Sequence, residues 1–593
     1  MVWQKEYKIG YSDFFIRQKI VLIFFAILFI ILSLKLFYLQ IIKGGFYNDI
    51  SEQQRIYSTD EMAPRGIIYA DDDSVMAENA FIYSILFYPF DQGGLPAEKT
   101  ILELNAILKK DIRPYLEESI RNGKIVKIAD KLSMEEMFKI QEKKMKLNGI
   151  TLVAEPVRVY KFPQANSHVF GYLGEINKNE LMSGSFSGYK SGDYIGKAGI
   201  ESVYDKYLRG VNGGWQLEVN AKGVQTKAFK YIKPEIGNSA YLTISPRLQK
   251  AAYEALAKSS TGRGAAIVID VKTGAIKALV SAPSYDSNKV KAEDFALYLK
   301  DKNLPLYNRA TQALYAPGSV FKIIAFAAAV ESDFDIYETK YCRGYFDLGD
   351  KRYLCWYKPG HGRVNLMEAL AQSCNVYFYN LALRLGVDKL DEFSWKFRLG
   401  EQTGIDLPNE KRGFVPTAEW KKSKEKVPWL QGDTVNFGIG QGALWVTPLQ
   451  MAAMMSAVAN RGTHYKPYVV NKIVSLEGEQ IYQHSVETNG SVTLKSRTWD
   501  LLHQALIDTV EKGTARGAFF PNIKIAGKTG TAQNPQGNDH AWFVSFAPAD
   551  DPEIAIAVIV ENGGGGSANA VPIGRKIYEA YFFEGEYKIK SGD

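Results

Sequence analysis

One long apolar segment decides how the rest of this chain can be arranged. Residues 20–42 (IVLIFFAILFIILSLKLFYLQII) form a run of 23 residues whose only charged member is Lys35. A helix needs about 20 such residues to cross a bilayer, because each residue advances it by about 1.5 Å. Lys35 lies near the end of the run and can extend its ammonium group to the interface. We therefore expect a membrane-spanning helix over residues 20–42.

The flanks of this segment predict its orientation. Lys5, Lys8, Arg17 and Lys19 precede it, and basic residues collect on the cytoplasmic side of membrane helices. A cleaved signal peptide is the alternative, but its apolar region is shorter, and no Ala-x-Ala cleavage site follows here. We therefore expect an uncleaved single-pass anchor, with about 550 residues on the outer side of the membrane.

The outer part is too long for one hydrophobic core, so we expect several domains. Residues 99–147 alternate apolar and charged side chains at helical spacing. After about residue 240, apolar strands at both ends flank a helical middle, which is typical of an α/β sandwich. The predicted ranges are a cytoplasmic N-terminus at 1–19, the anchor at 20–42, a membrane-proximal domain at 43–240, a C-terminal domain at 241–585 and a tail at 586–593.

The charge balance argues against one class of partner. The chain has 72 basic and 65 acidic residues, a net charge of +7, and no dense basic block. Nucleic-acid binding needs a concentrated basic surface. We therefore expect no nucleic-acid partner.

The first motif with chemical meaning is S-x-x-K, formed by Ser319 and Lys322. It follows Ala316-Pro317-Gly318 and begins a run of helix formers, so Ser319 is expected at a helix N-terminus. The helix dipole favours an alkoxide there. Lys322 lies one turn on, and a desolvated lysine can accept the serine proton. For this tetrapeptide alone, a structural N-cap serine with a solvated lysine is the alternative.

A second motif, S-x-N, is formed by Ser373 and Asn375, 51 residues after Lys322. A hydroxyl and an amide two residues apart on a turn can point the same way. Ser373 can then relay a proton to a leaving amine, while Asn375 binds a substrate amide and positions Lys322. An ordinary polar turn is the alternative.

The third motif is K-T-G, at Lys528, Thr529 and Gly530, followed by Thr531. On a strand, Lys528 and Gly530 share one face and the two threonines the other. The glycine permits close approach of a substrate backbone, and the cation and hydroxyls suit a carboxylate. The backbone N–H of Thr531, with that of the S-x-x-K serine, can form an oxyanion hole.

A second K-T-G, at Lys272-Thr273-Gly274, is predicted to be a hairpin turn without a catalytic role. The other three motifs occur in one order, each in a suitable local context. Together they predict an active-site-serine acyl transferase that accepts β-lactam-like substrates.

The sequence resembles the class B penicillin-binding proteins, in particular those of the elongation type, over nearly its whole length. The resemblance rests on the three motifs and on further segments: Arg65-Gly66-Ile67-Ile68, His168–Tyr172, Gly196–Glu201, Gly440-Gln441-Gly442 and the stretch from Gly344 to Gly362. It departs from the family at residues 69–74, where Asp-Arg-Asn-Gly is usual. That departure concerns the membrane-proximal domain, not the motifs.

The resemblance implies an α+β pedestal of the dimerisation type at 43–240 and a transpeptidase domain with an antiparallel sheet flanked by helices, similar to serine β-lactamases. It implies Ser319 as nucleophile, Lys322 as general base, Ser373 and Asn375 as relay residues, and Lys528 to Thr531 as the substrate-carboxylate site.

The implied substrate is the D-Ala–D-Ala amide of a peptidoglycan stem peptide, and β-lactams are the implied inhibitors. The implied location is the bacterial inner membrane with the catalytic domain outside. The implied partner is a membrane glycosyltransferase of the shape, elongation, division and sporulation type.

Four other functions compete with transpeptidation. A D,D-carboxypeptidase uses the same motifs with water as acceptor, and the sequence does not separate the two. The membrane anchor and the pedestal argue against a β-lactamase, which needs neither. The single predicted span argues against a β-lactam sensor, which needs several, and the three intact motifs argue against a non-catalytic scaffold.

All three cysteines and one histidine fall within 33 residues, at Cys342, Cys355, His361 and Cys374. Three thiolates and one imidazole form a closed structural zinc site. Cys374 is the middle residue of the S-x-N turn, so a metal there would hold that turn in place. One disulfide with a free thiol, or three buried thiols, are the alternatives. We expect one structural zinc ion and no organic cofactor.

Overall fold

The computed structural model of the chain describes most of the sequence. The described ranges are 11–43, 56–58, 61–88, 95–122, 125–143, 149–184, 186, 188–219, 225–290 and 292–583. The predicted tail at 586–593 and part of the predicted cytoplasmic segment at 1–19 lie outside them.

Helices and strands both occur along the described chain. The α-helices are α1 Tyr11–Phe37, α2 Glu98–Leu108, α3 Arg113–Asn122, α4 Met134–Lys143, α5 Pro163–Phe170, α6 Lys178–Met182, α7 Gly199–Val203, α8 Asp205–Leu208, α9 Pro246–Ala257, α10 Ala292–Lys300, α11 Lys322–Glu331, α12 Leu366–Ala371, α13 Asn375–Lys396, α14 Ala418–Trp420, α15 Gln431–Phe437, α16 Pro448–Ala459, α17 Ser496–Glu511, α18 Gly566–Asn569 and α19 Val571–Phe582. The strands are β1 Ile56–Ser58, β2 Ile68–Tyr69, β3 Val75–Phe87, β4 Val126–Ala129, β5 Ile150–Tyr160, β6 Leu173–Glu175, β7 Tyr194–Gly196, β8 Gly214–Val219, β9 Gln225–Ile232, β10 Ser239–Leu242, β11 Gly264–Asp270, β12 Ile276–Ala282, β13 Lys340–Cys342, β14 Tyr345–Leu348, β15 Lys351–Leu354, β16 Gly362–Val364, β17 Thr463–Tyr465, β18 Val470–Val474, β19 Gln480–Gln483, β20 Thr488–Ser491, β21 Ala526–Ala532, β22 His540–Ala547 and β23 Ile554–Val560.

The apolar N-terminal segment is helical, as predicted. Helix α1 begins at Tyr11, nine residues before the predicted span, and continues as a π-helical turn over Tyr38–Ile42. The part from Ile16 to Ile42 is long and apolar enough to cross a membrane, and its side chains contact little of the described chain. An exposed apolar helix of this length fits a single-pass membrane anchor.

The chain divides into two compact units. The first contains residues 1–63, 81–155 and 211–235, and the second contains 64–80, 156–210 and 236–593. The predicted boundaries at 43, 240 and 585 stay predictions.

The first unit contains a small α+β core. Its buried side chains include Ile85 and Phe87 of β3, Leu104 of α2 and Leu116 of α3. The helical spacing of residues 99–147 correctly indicates α2, α3 and α4 but misses strand β4 between them. Pairing with β3 decides that segment, because four residues are too few to show a period of their own.

The second unit is built on a five-stranded antiparallel sheet in the order β12-β11-β23-β22-β21. The central strands are apolar throughout because both faces are covered. Along β23, Ala555, Ala557 and Ile559 pack with α11 and α16, whereas the intervening residues pack with α9 and α19. Lys272-Thr273-Gly274 forms the turn between β11 and β12, as predicted. The helix-flanked sheet confirms the expected fold class.

A fully buried carboxylate joins segments that are distant in the sequence of the second unit. Glu201 accepts from Arg65 Nη2 at 2.6 Å and from Arg158 Nε at 2.8 Å. Arg65 also pairs with Asp205 at 2.8 Å. Burial by itself raises the pKa of Glu201, but the two guanidiniums outweigh it and the net pKa is lowered. The carboxylate is therefore ionised and compensated.

Replacing Glu201 by glutamine is expected to destabilise the second unit by about 3–5 kcal/mol, because the buried guanidinium of Arg158 loses its counter-charge and that of Arg65 keeps only Asp205. The shift of the urea unfolding midpoint of the full chain measures this. Glu392→Gln, which breaks surface pairs with Lys389 and Lys396, is the control and should leave the midpoint unchanged. Equal midpoints for both variants would contradict the role given to Glu201.

Candidate active site

Ser319 lies in a tight turn that leads directly into α11. Residues Gly318–Phe321 form a single 3₁₀ turn, and Lys322 is the first residue of the α-helix. Gly318 has a φ of 55° and donates its N–H to Gly440 O at 2.9 Å. A Cβ at this position would lie 2.6 Å from the Thr531 carbonyl oxygen, so a glycine is required. The predicted placement of Ser319 at a helix start is confirmed.

Lys322 joins the S-x-x-K and S-x-N motifs. Its buried Nζ donates to the Ser373 carbonyl at 2.9 Å, to Ser373 Oγ at 3.3 Å and to Asn375 Oδ1 at 2.7 Å. Burial lowers the pKa of Lys322 to about 8, although the nearby thiols of Cys374 and Cys355 act in the opposite direction. A neutral form of this amine is therefore accessible near neutral pH. Within the described residues, the Ser319 hydroxyl has no hydrogen-bond partner.

The S-x-N turn is held in an unusual backbone conformation. Ser373 has a φ of 54°, a left-handed value that is uncommon for residues other than glycine. Cys374 precedes the first turn of α13, where Asn375 is the first residue. This geometry directs both motif side chains toward Lys322. The three-residue motif contains no signal for the positive φ.

Leu354, which the sequence analysis missed, orients Asn375 through its backbone carbonyl. The carbonyl oxygen of Leu354 accepts from Asn375 Nδ2 at 3.3 Å and from the Tyr379 hydroxyl at 3.0 Å. Trp356 Nε1 donates to the Gln372 carbonyl at 3.0 Å, one residue before the motif. The segment carrying two of the cysteines therefore supports the S-x-N turn. A backbone acceptor such as Leu354 O has no sequence signal.

The K-T-G motif lies on β21, whose pairing with β22 is regular from Ala526 to Ala532. Lys528 is fully buried and donates to the Thr529 carbonyl at 2.9 Å. Burial, together with the charge of nearby Lys322, lowers the pKa of Lys528 strongly. Thr529 Oγ1 lies 2.6 Å from Thr514 Oγ1, and the Thr531 side chain is exposed. The regular strand confirms the predicted alternation of faces.

Strand β21 is the last strand of its sheet, so one of its edges is unpaired. The Thr531 carbonyl accepts from Gln441 Nε2 at 3.4 Å and lies against Gly318. The N–H and C=O of one strand residue point to the same side. The Thr531 N–H therefore also faces the edge next to Ser319. This arrangement is able to hold an oxyanion between two backbone donors.

The predicted metal ligands come together at one place. The ligand atoms of Cys342, Cys355, His361 and Cys374 all lie within 4.8 Å of one another. His361 Nδ1 is 3.6 Å from Cys342 Sγ and 3.5 Å from Cys355 Sγ. All three thiols are buried and free, so the disulfide alternative is not the arrangement found here. Soft thiolates with one imidazole fit a divalent metal of the zinc type.

Two family models match the chain. The penicillin binding protein transpeptidase domain matches residues 264–579, and the penicillin-binding protein dimerisation domain matches residues 60–242. The peptidoglycan D,D-transpeptidase MrdA of Acinetobacter baumannii is 34% identical over 92% of this chain and 85% of its own length.

Solved structures are similar as well. PBP2 of Helicobacter pylori, in complex with MreC, has a TM-score of 0.73 and 27% identity over 89% of this chain and 99% of its own. A component of a peptidoglycan synthase complex that coordinates polymerization and crosslinking has a TM-score of 0.70 and 30% identity over 95% and 98%.

Proposed function

The chain belongs to the penicillin-binding protein family, and from this premise we propose that it is a peptidoglycan D,D-transpeptidase that forms an acyl-enzyme on Ser319. The observation that carries this function is the convergence of three motifs on one amine. Lys322 Nζ contacts Ser373 and Asn375, and its charge is felt at Lys528 on the adjoining strand. Such a cluster is suited to serine acylation without a histidine.

In the first half-reaction, the neutral amine of Lys322 takes the hydroxyl proton of Ser319 as Oγ attacks the D-Ala–D-Ala carbonyl. The N–H groups of Ser319 and Thr531 stabilise the oxyanion. The proton passes through Ser373 to the departing amine nitrogen, and the terminal D-Ala leaves. Thr529 and Thr531, with Lys528 behind them, bind its carboxylate.

In the second half-reaction, an amine of a neighbouring stem attacks the Ser319 ester. Lys322 accepts the proton of the attacking amine, a new amide forms as the ester C–O bond breaks, and Lys322 returns the proton to Ser319 Oγ to restore the hydroxyl. With water as acceptor, the same steps give D,D-carboxypeptidation. A β-lactam acylates the same oxygen and leaves a slowly hydrolysed ester.

The test uses the full chain in detergent with a D-Ala–D-Ala stem peptide, alone and with an amine acceptor. Release of D-Ala with a new peptide–peptide amide is expected, and Ser319→Ala is the inactive control. If D-Ala is released at saturating acceptor but only hydrolysed peptide forms, the reaction is D,D-carboxypeptidation and not transpeptidation.

The apolar helix anchors the chain, and residues 1–19 are proposed to lie in the cytoplasm, with the catalytic unit on the outer side where peptidoglycan is cross-linked. Relatives solved with MreC and within a synthase complex support partners of those two kinds. We assign the membrane glycosyltransferase contact to the pedestal at 43–240.

The Cys/His cluster is proposed to hold one structural zinc ion. Cys342, Cys355, His361 and Cys374 would be its ligands. When bound, the ion supplies structural cross-linking only, because four protein ligands leave no open position. Cys355 follows Leu354, whose carbonyl accepts from Asn375, and Cys374 directly precedes Asn375. A metal bound by these cysteines would therefore hold the turn that carries Asn375.

Protein purified without added zinc is expected to contain about one zinc ion per chain. Replacing Cys355 by serine should lower that content and slow acylation by fluorescent penicillin about ten- to a hundredfold, as the S-x-N turn loosens. Metal analysis and labelling rates measure both effects. Restoring zinc to chelated wild type should recover its rate. Metal-free protein with a Cys–Cys bond would contradict the zinc assignment.

A further inference from the structure

A carboxylate directly after β23 binds the segment that leads to Ser319. Glu561 Oε1 accepts a hydrogen bond from the Tyr315 hydroxyl at 2.6 Å. Arg309 compensates the charge of this carboxylate, with its Nε 3.0 Å from the same oxygen. Tyr315 and Arg309 are both buried. Tyr315 lies four residues before Ser319, so this buried contact is close to the acylating hydroxyl along the chain.

The 3₁₀ turn that contains Ser319 is weakly held by its own backbone. Its first hydrogen bond, from the Val320 N–H to the Pro317 carbonyl, is 3.4 Å long, beyond the usual range for such bonds. The α-helix begins only at Lys322, so its own hydrogen bonds cannot fix the residues before Ser319. The position of Ser319 therefore depends on contacts that the preceding residues make with other elements.

Side chains and backbone from three other segments hold these preceding residues. Tyr315 forms a two-way backbone pair with Val446, in which both N–H···O distances are 2.9 Å. The indole N–H of Trp542, on β22, donates to the Ala316 carbonyl at 3.0 Å. The Tyr315 ring packs edge-on against this indole, with the ring centroids 6.1 Å apart. By holding the Tyr315 hydroxyl, Glu561 therefore fixes the ring against the side chain that binds Ala316.

The same indole connects the segment to the K-T-G strand. Trp542 is fully buried and pairs with Gly530 across β21 and β22. A Cβ on Gly530 would lie 3.1 Å from the Pro317 carbonyl oxygen, so the segment packs directly on this strand. The two backbone donors of the oxyanion hole, at Ser319 and Thr531, thus belong to two segments that Trp542 holds together.

The Tyr315 hydroxyl is a permanent donor in this arrangement. Burial raises the pKa of Tyr315 well above its usual value, and the charge of Glu561 acts in the same direction. The hydroxyl therefore stays protonated around neutral pH. Oε2, the other oxygen of the carboxylate, lies 4.0 Å from Nε of the more exposed Arg263. Oε1 alone thus orients the tyrosine ring.

We propose that Glu561 and Tyr315 are positioning residues for acylation. Through Trp542 they fix the N–H of Ser319 relative to the N–H of Thr531 in the oxyanion hole. This inference rests on the function proposed above. Both residues act on the reacting atoms through the backbone and not by contact with the substrate. The expected effect is on rate, because a misplacement of about 1 Å at a reacting group can cost about a hundredfold.

The test measures acylation of the full chain by fluorescent penicillin in quenched-flow experiments at several concentrations. These separate the dissociation constant of the first complex from the rate constant of acylation, k2. Tyr315→Phe keeps the ring and removes the donor, so k2 is expected to fall about tenfold while the dissociation constant stays the same. The matched control is Tyr578→Phe, whose buried hydroxyl lies 2.8 Å from Ser545 Oγ on β22. It should keep the k2 of the wild type.

A conservative exchange separates positioning from stability. Glu561→Gln removes the charge that compensates the buried guanidinium of Arg309, so its thermal unfolding midpoint should lie below that of Tyr315→Phe. The amide oxygen of the new side chain can still take the place of Oε1 and accept from the Tyr315 hydroxyl. Its k2 should therefore fall only about two- to threefold. The less stable variant is thus expected to be the faster one.

Two results would overturn the positioning role. One is a wild-type k2 in Tyr315→Phe, and the other is a set of k2 values that follow the unfolding midpoints, with Glu561→Gln slower than Tyr315→Phe. A tenfold loss in the dissociation constant instead of k2 would also overturn it, because Tyr315 would then act in penicillin binding. In each case, labelling of wild type at Ser319 leaves the acyl-enzyme function intact. Absent labelling of wild type would overturn that function itself.

Discussion

Replacing Ser319 by alanine is expected to abolish covalent labelling by fluorescent penicillin, with the acylation rate falling about 10⁴- to 10⁶-fold. The reason is that Oγ is the atom that forms the ester. Gly318 and the start of α11 do not depend on that atom, so the turn and the cleft are retained. Gel fluorescence and the mass of the labelled peptide measure the result.

The matched control is Ser485→Ala, which removes a hydroxyl from an exposed position away from the motifs. It should label like wild type. A penicillin adduct on another residue of Ser319→Ala would contradict the assignment of Ser319 as the nucleophile. Unchanged thermal unfolding of both variants would show that lost labelling reflects chemistry.

Replacing Lys322 by methionine is expected to slow penicillin acylation about 10²- to 10⁴-fold, the usual contribution of a positioned general base. Methionine fills the buried space but accepts no proton. The two partners at Ser373 and Asn375 also lose their shared donor. The second-order rate constant of acylation measures the effect, and Lys389→Met on the surface is the control.

The rate of penicillin acylation by the wild type should depend on pH. The pKa of Lys322 is lowered to about 8 by burial, and the base must be neutral to act. At pH 7, Lys322 is neutral in roughly a tenth of the molecules. The acylation rate of wild type should therefore rise with pH and level off above the pKa of Lys322. Lys322→Met should lose that rise. A profile of the same shape in both proteins would assign the base elsewhere.

Parts of this protein were predictable because they depend on local chemistry. An apolar run of 23 residues must be a helix wherever it is surrounded by lipid, since its backbone has no other hydrogen-bond partners there. Proline and glycine before Ser319 predicted the start of a helix, and the structure has a 3₁₀ turn there with Lys322 as the first residue of α11. The residue types at Cys342, Cys355, His361 and Cys374 predicted one cluster because few other roles gather thiols and imidazole.

Other parts depended on contacts between distant segments. Strand β4 was missed because its pairing with β3, not its own period, makes it a strand. Asn375 is oriented by the carbonyl of Leu354, and every residue type carries such a carbonyl.

By itself, the sequence determined the membrane helix, the order of the motifs and the types of side chain available for acylation and metal binding. Only the tertiary structure decided that Lys322 is desolvated, that the Thr531 edge of β21 is open, and that Arg65 and Arg158 compensate the buried charge of Glu201. The physical reason is that burial, edge exposure and charge compensation are properties of neighbours in space. Periodicity and spacing describe only neighbours along the chain.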